Sequence, residues 1–174
     1  MRSTQPLTQR LLAANEIPGY TIVRPTVKLL GLDDLAAVTG RSPKQLARAG
    51  FLAAAVENLR GPSPIPDKKF ISQSWVIRFR SASQARAFLT LLIRERHSIP
   101  SGVRRREFTV PGIPGARGTR LTQSRPQQRL DEYDVVFVAG PFTYEANVFT
   151  PNGVPSQASF VAAVGDYYHR LARS

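Results

Sequence analysis

The sequence predicts an α+β domain: an antiparallel sheet of about five to six strands with helices packed on a face. Three observations lead to this fold class. The chain of 174 residues suits a single domain over residues 1–174. Apolar residues form 42% of the chain, which is enough to build a core. Strand-like segments cluster in the middle and late chain with only one helix between them, whereas a parallel sheet would alternate strands with helices.

The first fifty residues carry the signals of short helices. Ser42 is a good N-cap residue and Pro43 fits the first position of a helix, while Gly50 can end that helix. Apolar spacing at i, i+4 and i+7 indicates another short helix near the start of the chain. The predicted helices span 7–15, 33–38 and the segment from Ser42 to Gly50, and a strand spans 19–24.

The clearest strand and the clearest helix follow each other in the middle of the chain. In residues 71–80, the two-residue alternation places Trp75, Ile77 and Phe79 on one face. An apolar stripe with the helical period predicts a helix over 83–97. The remaining predicted elements are strands over 51–60, 103–110 and 119–123, a hairpin of 133–139 with 143–149, and a last helix capped by Ser156.

The charge of the chain is strongly positive and unevenly distributed. Lys and Arg number 24 against 12 Asp and Glu, so the net charge is +12. Residues 78–129 hold 12 Arg and two acidic residues, whereas residues 130–174 carry a net charge of −3. Such a field attracts anions, for example nucleic acid, lipid headgroups or polyanionic wall polymers. A second interpretation is that the arginines reflect the composition of a GC-rich genome.

The sequence contains no pattern typical of a metal site or a catalytic centre. It has no Cys, which excludes thiolate chemistry and disulfides. His97 and His169 lie near predicted helix ends and lack the spacing of metal ligands. No nucleophile-elbow motif is present. We therefore expect no catalytic residues, no metal, no cofactor and no enzymatic activity. A small hydrolase or isomerase is a third alternative, which a pocket with convergent polar groups would favour.

A loop rich in glycine and proline, residues 111–118, is the most distinctive local feature. Backbone amides in such loops can form anion-binding nests, and Arg117 and Arg120 would add positive charge. The loop lacks the Lys and the Ser or Thr of a phosphate-binding P-loop, and no helix is predicted after it. We therefore favour a structured connection over an anion site.

Arginines form the candidate binding surface. On a strand, Arg104 and Arg106 point to one face and Arg105 to the other. If this strand neighbours the strand of Arg78, then Arg78 and Arg80 would join the same face and form a basic sheet surface. The candidate residues for binding an anion or a partner are Arg78, Arg80, Arg104, Arg106, Arg117 and Arg120.

The aromatic residues argue against a nucleic-acid surface on this sheet. Proteins that bind nucleic acid often interleave exposed aromatic side chains with positive charge. Here Trp75 and Phe79 lie on the face opposite to Arg78 and Arg80, which is the pattern of core residues. Nucleic acid is therefore the alternative partner and not the first choice.

Four short motifs and the closing helix carry a family resemblance. The first motif is Leu-Leu-Ala-Ala-Asn-Glu-Ile-Pro-Gly-Tyr at residues 11–20. The others lie at 46–51, 110–116 and 136–140, and the closing helix carries Tyr168, His169 and Arg170. In these motifs the chain resembles uncharacterised actinobacterial extracytoplasmic domains, which include lipoproteins and the sensor domains of some membrane-bound kinases. The resemblance implies a position outside the membrane and binding of a ligand or partner, with no catalytic residues to carry over.

We expect a non-enzymatic extracytoplasmic domain, associated with the cell envelope, that uses its Arg-rich surface for an anionic partner. That partner would be membrane headgroups, wall polymer or an acidic protein. The alternative is a cytoplasmic nucleic-acid-binding protein, whose affinity would fall steeply with salt. No run approaches the roughly 18 to 20 apolar residues of a membrane helix. The first residues also lack the apolar region of a signal peptide, so export requires that a leader was removed.

Overall fold

The protein forms one antiparallel sheet of eight strands with helices on both of its faces. A computed structural model describes residues 6–22, 27–61, 71–95, 101–125, 128–151 and 153–173. The strands are β1 (Thr21–Ile22), β2 (Lys28–Leu30), β3 (Phe51–Arg60), β4 (Ser72–Phe79), β5 (Val103–Phe108), β6 (Arg117–Arg125), β7 (Gln128–Ala139) and β8 (Phe142–Pro151). The helices are α1 (Leu32–Thr39), α2 (Pro43–Arg48), α3 (Ala82–Glu95) and α4 (Gln157–Ala172), and two 3₁₀ turns span Leu7–Arg10 and Ala14–Glu16.

The strand order is β1-β3-β4-β8-β7-β6-β5, and β2 pairs with β3 on the same side as β1. The predicted α+β class with an antiparallel sheet is confirmed, and the sheet is larger than the five to six strands expected. The short strand β2 has no counterpart among the predicted strands, because its three residues are too few to show a period in the sequence. β1 falls within the strand predicted over 19–24 and joins the same sheet.

Each face of the sheet has its own core. On one face, here called the α4 face, α4 and the N-terminal segment cover Phe137 and Tyr144, whose stacked rings lie 4.9 Å apart. On the other, the α3 face, α1, α2 and α3 cover the sheet, and Phe79 meets Phe88 at 4.9 Å between ring centroids. Helices therefore pack on both faces and not on one as expected. No helix among the described residues is long and apolar enough to span a membrane.

The N-terminal segment departs most from the prediction. The helix expected over 7–15 is absent, and the two 3₁₀ turns replace it. Its backbone groups bond to other parts of the fold and not to a helical turn. The Leu12 amide donates to Ser74 Oγ at 2.8 Å, and Arg170 Nη2 donates to the Leu11 carbonyl at 2.8 Å. These tertiary bonds hold the segment extended over the α4 face.

Local signals predicted the other helices well. Ser42 Oγ accepts a hydrogen bond from the Gln45 amide at 3.2 Å, and Gln45 Oε1 accepts one from the Ser42 amide at 2.9 Å. Gly50 ends this turn with a φ of +82°. The predicted strand over 51–60 and the hairpin of β7 and β8 are also confirmed. His97 lies outside the described residues, as do residues 23 and 24 of the strand predicted over 19–24.

Candidate functional site

The position of α3 leaves part of the α3 face of the sheet uncovered. The helix packs on β4, β8 and β7, which lie together in the middle of the sheet. The next strands, β6 and β5, extend beyond it at one end of the sheet order. The flank of α3 and the projecting strands therefore form the two walls of a groove.

This groove, here called the strand groove, has a volume of about 400 Å³. Its lining residues come from α3 and from β5, β6 and β7. They are Thr90, Ile93, Arg94, Arg105, Glu107, Arg117, Thr119 and Val136. A cavity of this size falls within the range of small-ligand sites, about 300 to 1,000 Å³.

The charges of the strand groove come from three different elements. Arg94 lies on α3, Arg105 and Glu107 on β5, and Arg117 on β6. Arg105 Nη2 pairs with Glu107 Oε1 at 3.1 Å. The Arg105 side chain is only 12% exposed, whereas the Glu107 side chain is 60% exposed. The ion pair therefore holds the Arg105 guanidinium against the strand wall of the groove. Among the described lining residues, three arginines against one carboxylate leave an excess of two positive charges.

Arginine suits the recognition of carboxylate and phosphate groups. Its planar guanidinium can donate two parallel hydrogen bonds to two oxygens of one anion. Ile93 and Val136 add apolar surface beside the three guanidinium groups. The strand groove can therefore hold an anionic group and pack against the apolar part that carries it.

The predicted site residues do not form one surface. Arg117 lines the strand groove, whereas Arg104 and Arg106 point to the opposite face of β5. Arg78 is on β4, and β8, β7 and β6 separate that strand from β5. Four strand spacings of about 4.8 Å put these strands about 19 Å apart. The surface proposed from Arg78 and Arg80 joined to Arg104 and Arg106 is therefore not present.

Arg120 serves a structural pair instead of an open surface. Its Nε and Nη2 atoms donate to the two carboxylate oxygens of Asp131 at 3.1 and 2.8 Å. Its guanidinium also lies 5.5 Å from the centre of the Tyr133 ring. Thr122 donates a further bond to Asp131 at 2.6 Å. A guanidinium held in both ways is preorganised for this pair and has little freedom to contact a partner.

The Asp131 carboxyl is stabilised in its charged form. Burial alone would raise its pKa, but hydrogen bonds from Arg120 and Thr122, with the charges of Arg120 and Arg129, hold the pKa below its ordinary value. Arg129 Nε lies 3.1 Å from Asp131 Oδ2. These contacts lie on the α4 face, on the side of β6 away from the strand groove.

The loop over 111–118 is a structured connection, in line with the sequence analysis. Ile113 is buried within the core of the α4 face, together with Val110 just before the loop. Gly112 and Gly115 have φ values of +77° and +71°, which glycine adopts at no steric cost. The buried Ile113 side chain anchors the loop to the sheet.

Three charged residues of the strand groove were missing from the candidate set: Arg94, Arg105 and Glu107. The alternation of β5 does place Arg105 and Glu107 on the face opposite to Arg104. The sequence does not show that α3 packs on the middle of the sheet and leaves this face of β5 uncovered. The helix and the uncovered strand together form the groove. In the part of the chain that the structure describes, no cluster of three metal-ligating side chains occurs.

Comparisons with known proteins provide one likeness in fold. A scan of the sequence against protein families finds no match, and neither does a comparison with curated protein sequences. Among solved structures, the chain is similar to the extracellular domain of PknH from Mycobacterium tuberculosis, with a TM-score of 0.57 and 17% sequence identity. The likeness covers 97% of this chain and 100% of that one. At this identity the likeness concerns the fold alone.

Proposed function

We propose that the chain is a non-enzymatic extracytoplasmic binding domain whose strand groove holds an anionic group of its partner. One observation carries the proposal: Arg94, Arg105 and Arg117, from three separate elements, line one groove in which Glu107 is the one carboxylate among the described lining residues. The fold shared with an extracellular domain supports a position outside the membrane. Membrane headgroups, wall polymer and acidic proteins all carry phosphate or carboxylate groups that arginine recognises.

Nucleic acid is the weaker alternative. Proteins that bind single strands place exposed aromatic rings among their positive charges, because bases stack on them. In the described residues every aromatic side chain is buried or half-buried. Trp75 is half-buried against the core of the α3 face, and Phe108 packs on Tyr133 with their ring centroids 6.4 Å apart. No stacking platform accompanies the arginines of β5 and β6.

The test compares two double variants with the same change in charge. Arg94→Glu with Arg117→Glu reverses two exposed charges in the strand groove. Arg104→Glu with Arg106→Glu reverses two exposed charges on the other face of β5 and serves as the matched control. Binding of each protein to phosphatidylglycerol vesicles, an acidic wall-polymer fraction and mixed-sequence DNA is measured at low and near-physiological salt.

We expect the groove variant to lose at least roughly tenfold in affinity for an envelope ligand, and the control to lose less than about threefold. These factors follow from losing two partly desolvated charge-assisted contacts as against two charges screened by solvent. Equal losses in both variants would mean that the overall field, and not the groove, attracts the ligand. Unchanged binding in the groove variant would overturn the proposal. Strong, salt-sensitive binding to DNA alone would favour the nucleic-acid alternative.

A further inference from the structure

The outer edge of β5 ends the sheet on one side. In the described part of the chain, β5 (Val103–Phe108) pairs with β6 and with no other strand. Along an antiparallel ladder, residues whose N–H and C=O groups bond to one neighbour alternate with residues whose groups point to the other side. Half of the backbone groups of β5 therefore point away from β6 and can bond to an added strand. We call residues 103–108 the open edge.

Two exposed arginines of the open edge lie on the same face. Arg104 and Arg106 point to the α4 face, as does Phe108, which packs on Tyr133 in the core of that face. Alternate residues of a strand are about 7 Å apart, which sets the spacing of the two side chains. Neither guanidinium has a hydrogen-bond or ion-pair partner among the residues that the structure describes. Both are therefore available to an incoming anion.

The neighbouring strand supplies no carboxylate to these two arginines. In the register of β5 and β6, Arg104 lies opposite Thr122 and Arg106 lies opposite Arg120. The Asp131 carboxylate on β7 accepts hydrogen bonds from Arg120 and Thr122, so it is already occupied. An arginine opposite another arginine gains from a carboxylate on its other side, because like charges across a ladder destabilise it. That carboxylate would have to come from the open edge.

We propose that the open edge binds an extended acidic segment of a partner protein as an added antiparallel strand. Residues two positions apart on a strand point to the same face, so two acidic residues separated by one residue would lie opposite Arg104 and Arg106. The residue between them would lie opposite Arg105, on the α3 face. Backbone hydrogen bonds would supply affinity, and the paired charges would select the sequence and its register.

The charges of the open edge favour an acidic partner over a second copy of this chain. If two β5 strands paired antiparallel around Arg105, then Arg104 of each copy would lie opposite Arg106 of the other. Like charges directly opposite each other destabilise a sheet. The same two arginines therefore repel the edge of another copy and attract an acidic strand. Specific interfaces combine repulsive and attractive contacts in this way.

The experiment uses the synthetic peptide Thr-Glu-Val-Glu-Val-Thr, blocked at both ends. Paired antiparallel, its first Glu would lie opposite Arg106, its second opposite Arg104, and its last Val opposite the half-buried Val103. One control peptide, Thr-Val-Glu-Glu-Val-Thr, has the same composition but places its two carboxylates on opposite faces. A second, Thr-Lys-Val-Lys-Val-Thr, reverses the charge.

Binding to the full chain is measured at near-physiological salt by isothermal calorimetry, and hydrogen exchange of the β5 amides is followed by NMR. Arg104→Glu with Arg106→Glu reverses the two charges of the open edge, at exposed positions. Arg94→Glu with Arg117→Glu makes the same change in charge in the strand groove and serves as the matched control. Because the two sites use different arginines, a failure here leaves the proposal for the strand groove intact.

We expect the alternating Glu peptide to bind the parent chain saturably, with slower amide exchange at alternate residues of β5. Arg104→Glu with Arg106→Glu should weaken this binding by roughly tenfold or more and should bind the Lys peptide instead, since two attractive cross-strand pairs become repulsive and the reverse. The strand-groove variant should lose less than about threefold.

Three results would overturn the inference. The first is that the alternating Glu peptide does not bind the parent chain. The second is that both acidic peptides bind equally well, which would show attraction by charge without strand pairing. The third is that both double variants lose the same affinity, which would assign the binding to the overall positive field of the chain. The two peptide comparisons use the parent chain alone, so they hold whether or not a variant folds.

Discussion

Asp131 is a buried carboxylate that hydrogen bonds and ion pairs with its neighbours keep in its charged form. Its side chain is 3% exposed, and Arg120, Thr122 and Arg129 all bond to it. These partners come from β6 and from β7 itself. The pair of Arg120 and Asp131 therefore joins two strands by charge as well as by their backbone ladder.

Substituting Asp131→Asn should lower the free energy of unfolding at pH 7 by about 2 kcal/mol or more, because it leaves hydrogen-bonded guanidinium groups without their anion. The lowered pKa of Asp131 stabilises the fold above the ordinary value of 3.8. This stabilisation is lost as the pH falls through the lower folded pKa. Thermal unfolding of the parent chain and of the Asp131→Asn variant should therefore show a difference in stability at pH 7 that becomes smaller at pH about 2. Asp166→Asn, at an exposed position on α4, should show no comparable loss at pH 7.

Glu57 shows the opposite behaviour. It lies on β3 with 6% of its surface exposed, and no described residue hydrogen-bonds to its carboxylate. Burial raises its pKa, and the negative charge of Glu16 raises it further. A carboxyl with a raised pKa favours folding fully below its ordinary value of 4.5, and this contribution is lost as the pH rises through the folded pKa.

Substituting Glu57→Gln should therefore stabilise the protein at pH 7 by an amount of the order of 1 kcal/mol, since a neutral amide costs less to bury than a carboxylate. The gain should disappear well below pH 4.5, where the glutamate is protonated in both states. Chemical unfolding at pH 7 and at pH about 3 measures both effects. A variant that is less stable than the parent at pH 7 would show that the charge of Glu57 has a favourable partner.

At the scale of elements, the packing of the N-terminal segment accounts for the residue types in the motif at residues 11–20. Leu12 and Ile17 are buried in the core of the α4 face. Tyr20 donates to the Phe149 carbonyl at 2.8 Å, and its hydroxyl lies 3.2 Å from Ser72 Oγ. Burial raises the pKa of Tyr20 to about 12, although the bond to Ser72 acts to lower it, so the hydroxyl remains a donor at neutral pH. The motif that carries the family resemblance is therefore a packing motif.

The edge strand β5 offers a second reason for its arginines. In the described part of the chain, β5 pairs with β6 on one side only. An exposed strand edge can pair with another molecule, and charged side chains on such a strand oppose that association. Arg104 and Arg106 are both exposed on this strand.

Replacing Arg104 and Arg106 by Val should leave the fold intact and promote association, because the edge would gain β-forming apolar residues and lose charge. We expect light scattering of the double variant to rise with protein concentration and time at physiological salt. Arg86→Val with Arg94→Val removes the same charge from helix α3 and should remain monodisperse. Similar association of both variants would attribute the effect to net charge and not to the edge.

Local sequence signals were sufficient for single elements but not for their arrangement. Ser42 and Gly50 predicted α2 because a cap depends on residues within one turn. The alternation of β4 predicted Trp75, Ile77 and Phe79 on one face, yet its other face is also covered. Ser74 is fully buried there beneath the N-terminal segment. Its hydroxyl accepts a hydrogen bond from the Leu12 amide, 62 residues away in the sequence. Strand order and the strand groove depend on such distant contacts, which a single sequence does not display.

Across the whole molecule, the uneven charge of the sequence becomes more balanced in the fold. The Arg-rich segment 78–129 includes β5 and β6, and three of the acidic residues that follow it, Asp131, Glu132 and Asp134, lie on β7. Because β6 pairs with β7, Asp131 comes to lie beside Arg120. Part of the positive charge is thus neutralised internally. The strand groove keeps an excess of positive charge because its described lining residues include three arginines and one glutamate.

The strand groove lies on the α3 face, whereas the two ends of the described chain come together on the α4 face. Arg170, near the end of α4, donates to the Gln9 carbonyl at 3.0 Å and pairs with Glu16 at 2.9 Å. A biotin attached to the exposed Gln9 or Arg173 would therefore hold the protein by the back of the sheet. On a sensor chip, molecules captured through either residue would present the strand groove to the flowing sample, so surface-based measurements need no label on the α3 face.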